Sequence, residues 1–578
     1  MRSLPLPAAT RSKTDLGGKA GRMITPESVK ANQARMETLR ANHDSKWSEI
    51  ARLVYPEMNR FYGGTMAGWA QMGGRVDAEM HNPYAAQAFE DGVSLFEGFV
   101  MPRGQRWQKL ALDAELMKSV RVQQWVEKKE LRLFQLRNDP ESGFVGAVHE
   151  SAMSLYAFAA QSMWIDIRRS PVTGRKVGLS YESEFVGEQF VEWDASGTPF
   201  RLHRKFALTA EQAFLKWGRN TPAPVMKAMG QDKNKDGEFE FIHVIEPNTQ
   251  YDPERIDHHG KPWAAAYYLC GGNHEIFLRG GYHSKPRIFS TFTRGLRNSW
   301  GFSPTMRILP QIRLLQEITQ HRVFGAELRL LPPFLATDDE LDGAILEMRA
   351  LGVTFGGLDD RGNPKMKTFF DASDSRDAEL LAQEACAIID KGYGRDLLQI
   401  TREQKTHITA TRTEEEKVEK GVLLAPLARQ EAEWLAPMTV RELALMGEMG
   451  DFDDAPGEVI EYFEAEGEFS WRYDNELTRM MQAQDTTAYL SLAQQVGLLA
   501  QFDNTVVEDF RREYPMAKVL DVLGQNAGVP AAMRATEEEK QAYDTRKAQE
   551  AQQQALLAAL PAVSDTIKNV SGVASNGA

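Results

Sequence analysis

Arg402, Lys405, His407 and Arg412 lie in the polar stretch 399–413, interleaved with threonines at 401, 406, 409, 411 and 413. Cations and hydroxyls at that density can bind phosphate oxygens without reading any base. The same composition also suits an exposed loop between helices, so two readings stand. Asp232-Lys-Asn234-Lys-Asp236-Gly237 matches the opening of an EF-hand calcium loop. Its twelfth position, which needs a bidentate Glu, holds His243, and the following FEFIHVIEP reads as a strand, so a surface turn fits better. His243, His258, His259, His274 and His283 crowd one region, but only Cys270 and His274 approach a ligand-like spacing, so no metal is assigned. Gly17-Gly18-Lys19-Ala20 lacks both the upstream glycine and the following Ser/Thr of a phosphate loop. The Glu and Asp runs fall on solvated helix faces. No catalytic constellation and no cofactor site emerge.

The elements that must position 399–413 come from a chain of 578 residues, 42% hydrophobic and 26% charged. That is ordinary globular material, enough for three or four units. A formal net charge of -13 argues against tight non-specific wrapping of nucleic acid, while leaving room for a local basic loop. Two cysteines, Cys270 and Cys386, exclude a disulfide scaffold and a Cys-rich zinc module, and fit a reducing cytoplasm. No apolar run reaches the roughly 18 residues of a membrane span. Residues 1–24 read as a disordered tail and not as a secretory signal, and 561–578 as a second disordered tail.

Thr25-Pro26 opens a helix expected to reach about Tyr55, followed by the glycine-rich FYGGTMAGWAQMGG. A second helix is expected over about 83–99, broken at Pro102 and Gly104 before a strand. Residues 119–160 read as helical, with a stripe through Val122, Val126, Leu133 and Leu136; 162–206 and 238–295 read as strands. Ser303-Pro304 caps a long helix ending near Leu331, before Pro332-Pro333, with Pro310 bending its first turns. A compact α/β insert follows, with a strand at Val353–Phe355 and a turn over Asp359–Asn363. A second long helix spans 376–398, with small residues Ala382, Ala385, Cys386 and Ala387 permitting close approach. A very long helix over about 414–449, a strand-and-helix unit over 467–500 and a helix over Thr536–Leu560 complete an α+β, mainly helical fold.

The order of these elements resembles the portal proteins, or head-to-tail connectors, of short-tailed bacteriophages. The resemblance rests on Met101-Pro102…Arg106-Trp107, on Gly301-Phe302-Ser303-Pro304 opening a helix that ends at Pro332-Pro333, and on Thr409-Ala410-Thr411 before Glu414-Glu415-Glu416. It covers roughly 26–550. Where the family often has asparagine-tyrosine-glycine, this chain has Asn298-Ser299-Trp300-Gly301. The resemblance implies a wing over 25–302, stem helices over 303–331 and 376–398, and a clip over 332–375. It implies a tunnel loop over 399–413, a long helix with the remaining wing over 414–500, and crown helices over 501–560. It further implies a homo-oligomeric ring, commonly of twelve copies, at one capsid vertex of the virion and assembled in the host cytoplasm. Double-stranded DNA would pass through its channel, with Arg402, Lys405, His407 and Arg412 as channel contacts. The terminase large subunit, a tail adaptor, and the major capsid and scaffold proteins would be its partners; no membrane, no cofactor and no enzymatic activity are expected. Two alternatives stand beside this: a soluble α+β enzyme with a helical insertion, and a virion structural or scaffold protein that forms no channel.

Overall fold

The computed structural model describes residues 24–58, 80–230, 237–271, 275–294, 300–330, 376–395, 429–465 and 467–473, with short runs at 334–336, 361, 366–368 and between 489 and 553. The described residues divide into two compact units, one formed by Gly104–Arg137 with residues from Met446 onward, the other by residues 24–103 with Asn138–Leu445.

The larger unit begins with α1 (Pro26–Leu53). Thr25 accepts the Ser28 amide at 3.2 Å, and Ser28 Oγ accepts the Thr25 amide at 3.0 Å, a reciprocal cap that leaves Pro26 where no amide is needed. A three-stranded antiparallel sheet has the order β3-β2-β9, with β2 at Ala160–Arg169, β3 at Lys176–Ser183 and β9 at Arg287–Thr291. A five-stranded antiparallel meander runs β4 (Gln189–Trp193), β5 (Pro199–Thr209), β6 (Glu238–Pro247), β7 (Trp263–Leu269) and β8 (Ile276–Tyr282). Alternation along β6 sends Phe241 toward α5 (Ala210–Trp217) and α6 (Ala223–Met229), and Ile242 and Val244 toward Ile24 and Val29 at the start of α1. Both faces are covered, which is why FEFIHVIEP carries apolar residues on both sides. The EF-hand reading fails here: His243 is buried within β6, where an exiting helix would be required, and 231–236 lie outside the described residues.

Helix α4 (Phe144–Phe158) is buried around nearly its whole circumference and packs on α2 (Tyr84–Val100), β2 and β3. The helical stretch expected over 119–160 consists of two helices. Asp139 caps a short turn at Pro140–Ser142, and Gly143 takes a φ of 71°, which stops α3 (Val120–Asn138) and restarts the chain as α4. The stripe Val122, Val126, Leu133, Leu136 is buried as expected. Residues 429–449 are helical, with a π turn at Glu431–Leu435 leading into α9 (Ala436–Met449); the part of the expected long helix before 429 lies outside the described residues.

The smaller unit holds α3, the antiparallel pair β1 (Gln108–Ala111) and β12 (Ser470–Tyr473), and α10 (Gly457–Glu464). Trp125 packs among Phe452 and Phe469, and the buried Lys129 bonds the Asp454 carboxylate and the Asp451 carbonyl. Helix α11 (Thr505–Glu513) and helical residues 491–499 and 541–553 are also described, the last within the helix expected over Thr536–Leu560.

Candidate functional site

Two helices of the larger unit, α7 (Pro304–Leu330) and α8 (Arg376–Tyr393), pack side by side. Helix α7 starts where the sequence places it. Ser303 Oγ accepts the Met306 amide at 2.9 Å and donates to the Ala157 carbonyl at 2.9 Å. Thr305 Oγ1 donates to the Tyr156 carbonyl at 2.8 Å and lies 2.9 Å from the Tyr393 hydroxyl. One serine and one threonine therefore fasten the start of α7 to the end of α4 and to the end of α8. Ile308, Leu309, Ile312 and Leu315 are buried behind them. Gln316 closes the embedded half: its Oε1 accepts the amides of His81 and Asn82 at 2.7 and 2.8 Å, and its Nε2 donates to the Asn82 carbonyl at 2.7 Å. Pro310 sits on the exposed side of an uninterrupted helix.

Beyond Gln316 the helix changes character. Residues 320–324 are exposed at every position, with Val323 at 54% and Phe324 at 56% exposure. The start of α8 matches, with Leu380 and Leu381 exposed, whereas toward its end Ala385, Ile389 and Tyr393 are buried and Ile388 alone of that stretch's large apolar residues is exposed. Of the small residues expected to permit close approach, Ala385 is buried, Ala382 and Cys386 are half-buried and Ala387 is exposed. The helices approach closely at Gly392, where a Cβ would fall 2.4 Å from Ile308 Cγ2. Helix α8 ends at Tyr393, short of the expected 398, because Gly394 turns into the left-handed region at a φ of 75°. The insert between the helices is bracketed by β10 (Phe334–Ala336) and β11 (Met366–Thr368), paired antiparallel. The strand expected at Val353–Phe355 and most of the expected turn at Asp359–Asn363 lie outside the described residues. So do Arg402, Lys405, His407 and Arg412.

What sequence reasoning missed is the foundation. Glu184, just past β3, is buried and accepts from Arg287 of β9, from Arg204 of β5 at 2.8 Å and from Ser162 of β2 at 3.0 Å. One carboxylate thus ties the three-stranded sheet to the five-stranded one. Burial alone would raise its pKa, but Arg287 and Arg204 overcome that and hold it well below the usual carboxylate range. His243 stacks on Tyr267 at 4.1 Å; burial and the nearby Arg287 push its pKa far down, so it is neutral. Helix α9 is pinned the same way: the buried Arg441 donates to the Ile165 carbonyl at 3.1 Å and to Ser284 Oγ at 2.9 Å. Glu184 and Arg287 are 103 positions apart, so no local motif announces them. The histidine-rich region brings Asp257, His258 and His259 together at the surface, but Asp257 already accepts from Arg255 at 2.5 Å and from the His259 amide at 3.0 Å.

The model of the family described as bacteriophage head to tail connecting protein matches residues 27–533. The chain belongs to that family. The portal protein of Salmonella phage epsilon15 is 22% identical over 550 residues, covering 93% of this chain and 94% of that protein. The probable portal protein of Bordetella phage BPP-1 is 23% identical over 310 residues, about half of each chain (52% and 52%). This phage head-to-tail connecting protein is a structural component of the phage particle and not an enzyme, which removes the soluble-enzyme alternative. No described helix is long and apolar enough to cross a membrane.

Proposed function

We propose that the chain is the portal subunit of a short-tailed phage, with twelve copies closing into a ring at one capsid vertex. The observation that carries this is the naked outer half of the α7–α8 pair. Val323 and Phe324 late in α7 and Leu380 and Leu381 early in α8 are exposed on two packed helices, an arrangement that a neighbouring copy of the same pair would cover. The family match and the full-length similarity to the epsilon15 portal protein support the same reading. In this reading α7 and α8 are the stem, the insert they enclose is the clip, and DNA enters and leaves through the channel. The terminase large subunit docks during filling and a tail adaptor afterwards, with capsid and scaffold proteins around the vertex. Arg402, Lys405, His407 and Arg412 touch passing phosphates weakly, because a moving duplex presents every sequence in turn and base readout would stall it.

Native mass spectrometry tests the ring: twelve subunits of 65.0 kDa give a particle of about 780 kDa, formed without nucleotide or metal. Only monomers, or assembly that requires ATP, would overturn it. Replacing Arg402 and Lys405 together by Ala leaves the ring intact and lowers encapsidated DNA per particle; unchanged DNA content makes 399–413 a plain connector. Deleting 336–370 leaves the larger unit folded and abolishes docking of the motor and the adaptor.

A further inference from the structure

Immediately after α8 the chain makes a tight, doubly bonded exit. The Gly394 amide donates to the Lys391 carbonyl at 3.3 Å and the Arg395 amide to the Asp390 carbonyl at 2.9 Å, with Gly394 left-handed between them. This is the paired arrangement that ends a helix and fixes the direction in which the chain leaves it. The side chain of Arg395 then bridges α8 to α2. Its Nε donates to Asp91 of α2 at 2.6 Å, its Nη1 to Asp390 at 3.2 Å, and its guanidinium lies 5.5 Å from the Tyr84 ring centre. The Tyr84 hydroxyl donates to the other oxygen of Asp390 at 2.6 Å. Tyr84 and Asp91 of α2 and Asp390 of α8 therefore converge on Arg395, in the turn that follows α8.

We infer that Arg395 is a positioning residue: bridging Asp91 and Asp390, it sets the point and direction at which the chain leaves α8 for the stretch bearing Arg402, Lys405, His407 and Arg412. This rests on the portal reading for its consequence, but the clamp itself does not. A helix could end on Gly394 alone; what Gly394 cannot do is tie the exit to a helix some three hundred residues earlier. Arginine suits the task because a planar fork meets two carboxylates at once, whereas lysine is a point charge that satisfies one. Asp91 and Arg395 are 42% and 28% exposed, so salt weakens the link without abolishing it.

The test is trypsin cleavage after Arg402 and Lys405 in the full-length assembled protein, read by mass spectrometry, alongside ring yield and thermal midpoint. Arg395→Ala and Asp91→Asn each speed that cleavage about threefold, in line with the loss of a half-exposed charge pair, with ring yield and thermal midpoint unchanged. Arg395→Lys falls between parent and Arg395→Ala. Raising salt speeds cleavage in the parent and not in Arg395→Ala, a dependence that general destabilisation would not produce. If Asp91→Asn cleaves like the parent, the bridge to α2 does not position the exit and the inference is overturned. If cleavage responds while encapsidated DNA does not, the clamp stands and the DNA-contact reading of 399–413 falls instead.

Discussion

The two halves of α7 are built on opposite principles. Between Ser303 and Gln316 every polar group that turns inward has a named partner, and the apolar side chains lie behind them. From Gln320 to Phe324 every residue is exposed, Val323 and Phe324 among them. Burying a Phe or Val fully is worth about 1.5–3 kcal/mol, so leaving both in water has a cost that the isolated chain does not recover. The first half is completed by this chain; the second is a surface left for another. Stability and assembly should therefore separate along one helix.

The largest effect belongs to the Glu184 cluster that joins the two sheets. Removing the carboxylate in Glu184→Ala leaves Arg287, itself buried, without its main partner. A buried charge stripped of its counter-ion costs about 3–5 kcal/mol, so denaturant unfolding should show that loss and ring yield should fall only because folded chain is scarce. Next comes the seam between the helices. Gly392→Ala places a methyl 2.4 Å from Ile308 Cγ2, and overpacking of that kind costs about 1–3 kcal/mol. Adding Ile308→Ala should recover part of it, since the two sites share one space.

Acid gives a graded version of the first experiment. The folded-state pKa of Glu184 lies below its ordinary value of 4.5, so its contribution is fully present above pH 4.5 and is lost as pH falls below it. From this group the loss approaches, at most, about 1.4 kcal/mol per pH unit. Urea midpoints from pH 7 to pH 3 should therefore fall more steeply in the parent than in Glu184→Gln. His243 adds to the loss in acid: folded, it is neutral with a depressed pKa, so protonation favours the unfolded chain as pH drops through its usual value of 6.5.

How much of this was legible in the sequence follows from the range of each interaction. Thr25-Pro26 and Ser303-Pro304 are local signals, and both mark helix starts in the structure. Thr209 and Gln212 form the same kind of local cap at the start of α5, a helix that the strand-rich pattern of its neighbours obscured. The break at Asp139–Gly143 was written in Pro140 and Gly143, but the apolar stripe leading up to it, through Leu136, drew the helical reading past it. The Glu184 cluster and the Arg395 bridge join residues 103 and 304 positions apart, and no spacing rule reaches that far. Arg287 carries a faint signal even so: a charged residue in the five-residue strand RIFST, every position of which is buried.

The smallest effect on folding should be the most telling. Phe324→Ser and Leu381→Ser together replace two side chains that are 56% and 47% exposed, one on each outer helix half. Neither sits in the core of the chain, so the unfolding free energy of the monomer should change by no more than about 0.5 kcal/mol. Interfaces respond differently, because a buried aromatic anchor commonly carries about 2 kcal/mol or more. In a closed ring the same substitution recurs at every contact, so its weakening is repeated around the circle. Native mass spectrometry should then show monomer and small oligomers where the parent gives a ring, with an unchanged denaturant midpoint for the monomer. If the double variant still closes into rings at the parent's yield, the outer halves of α7 and α8 are not the contact. If it instead unfolds the monomer, the contrast between the two halves of α7 is wrong at its root, since the outer half would then contribute to the fold of the single chain.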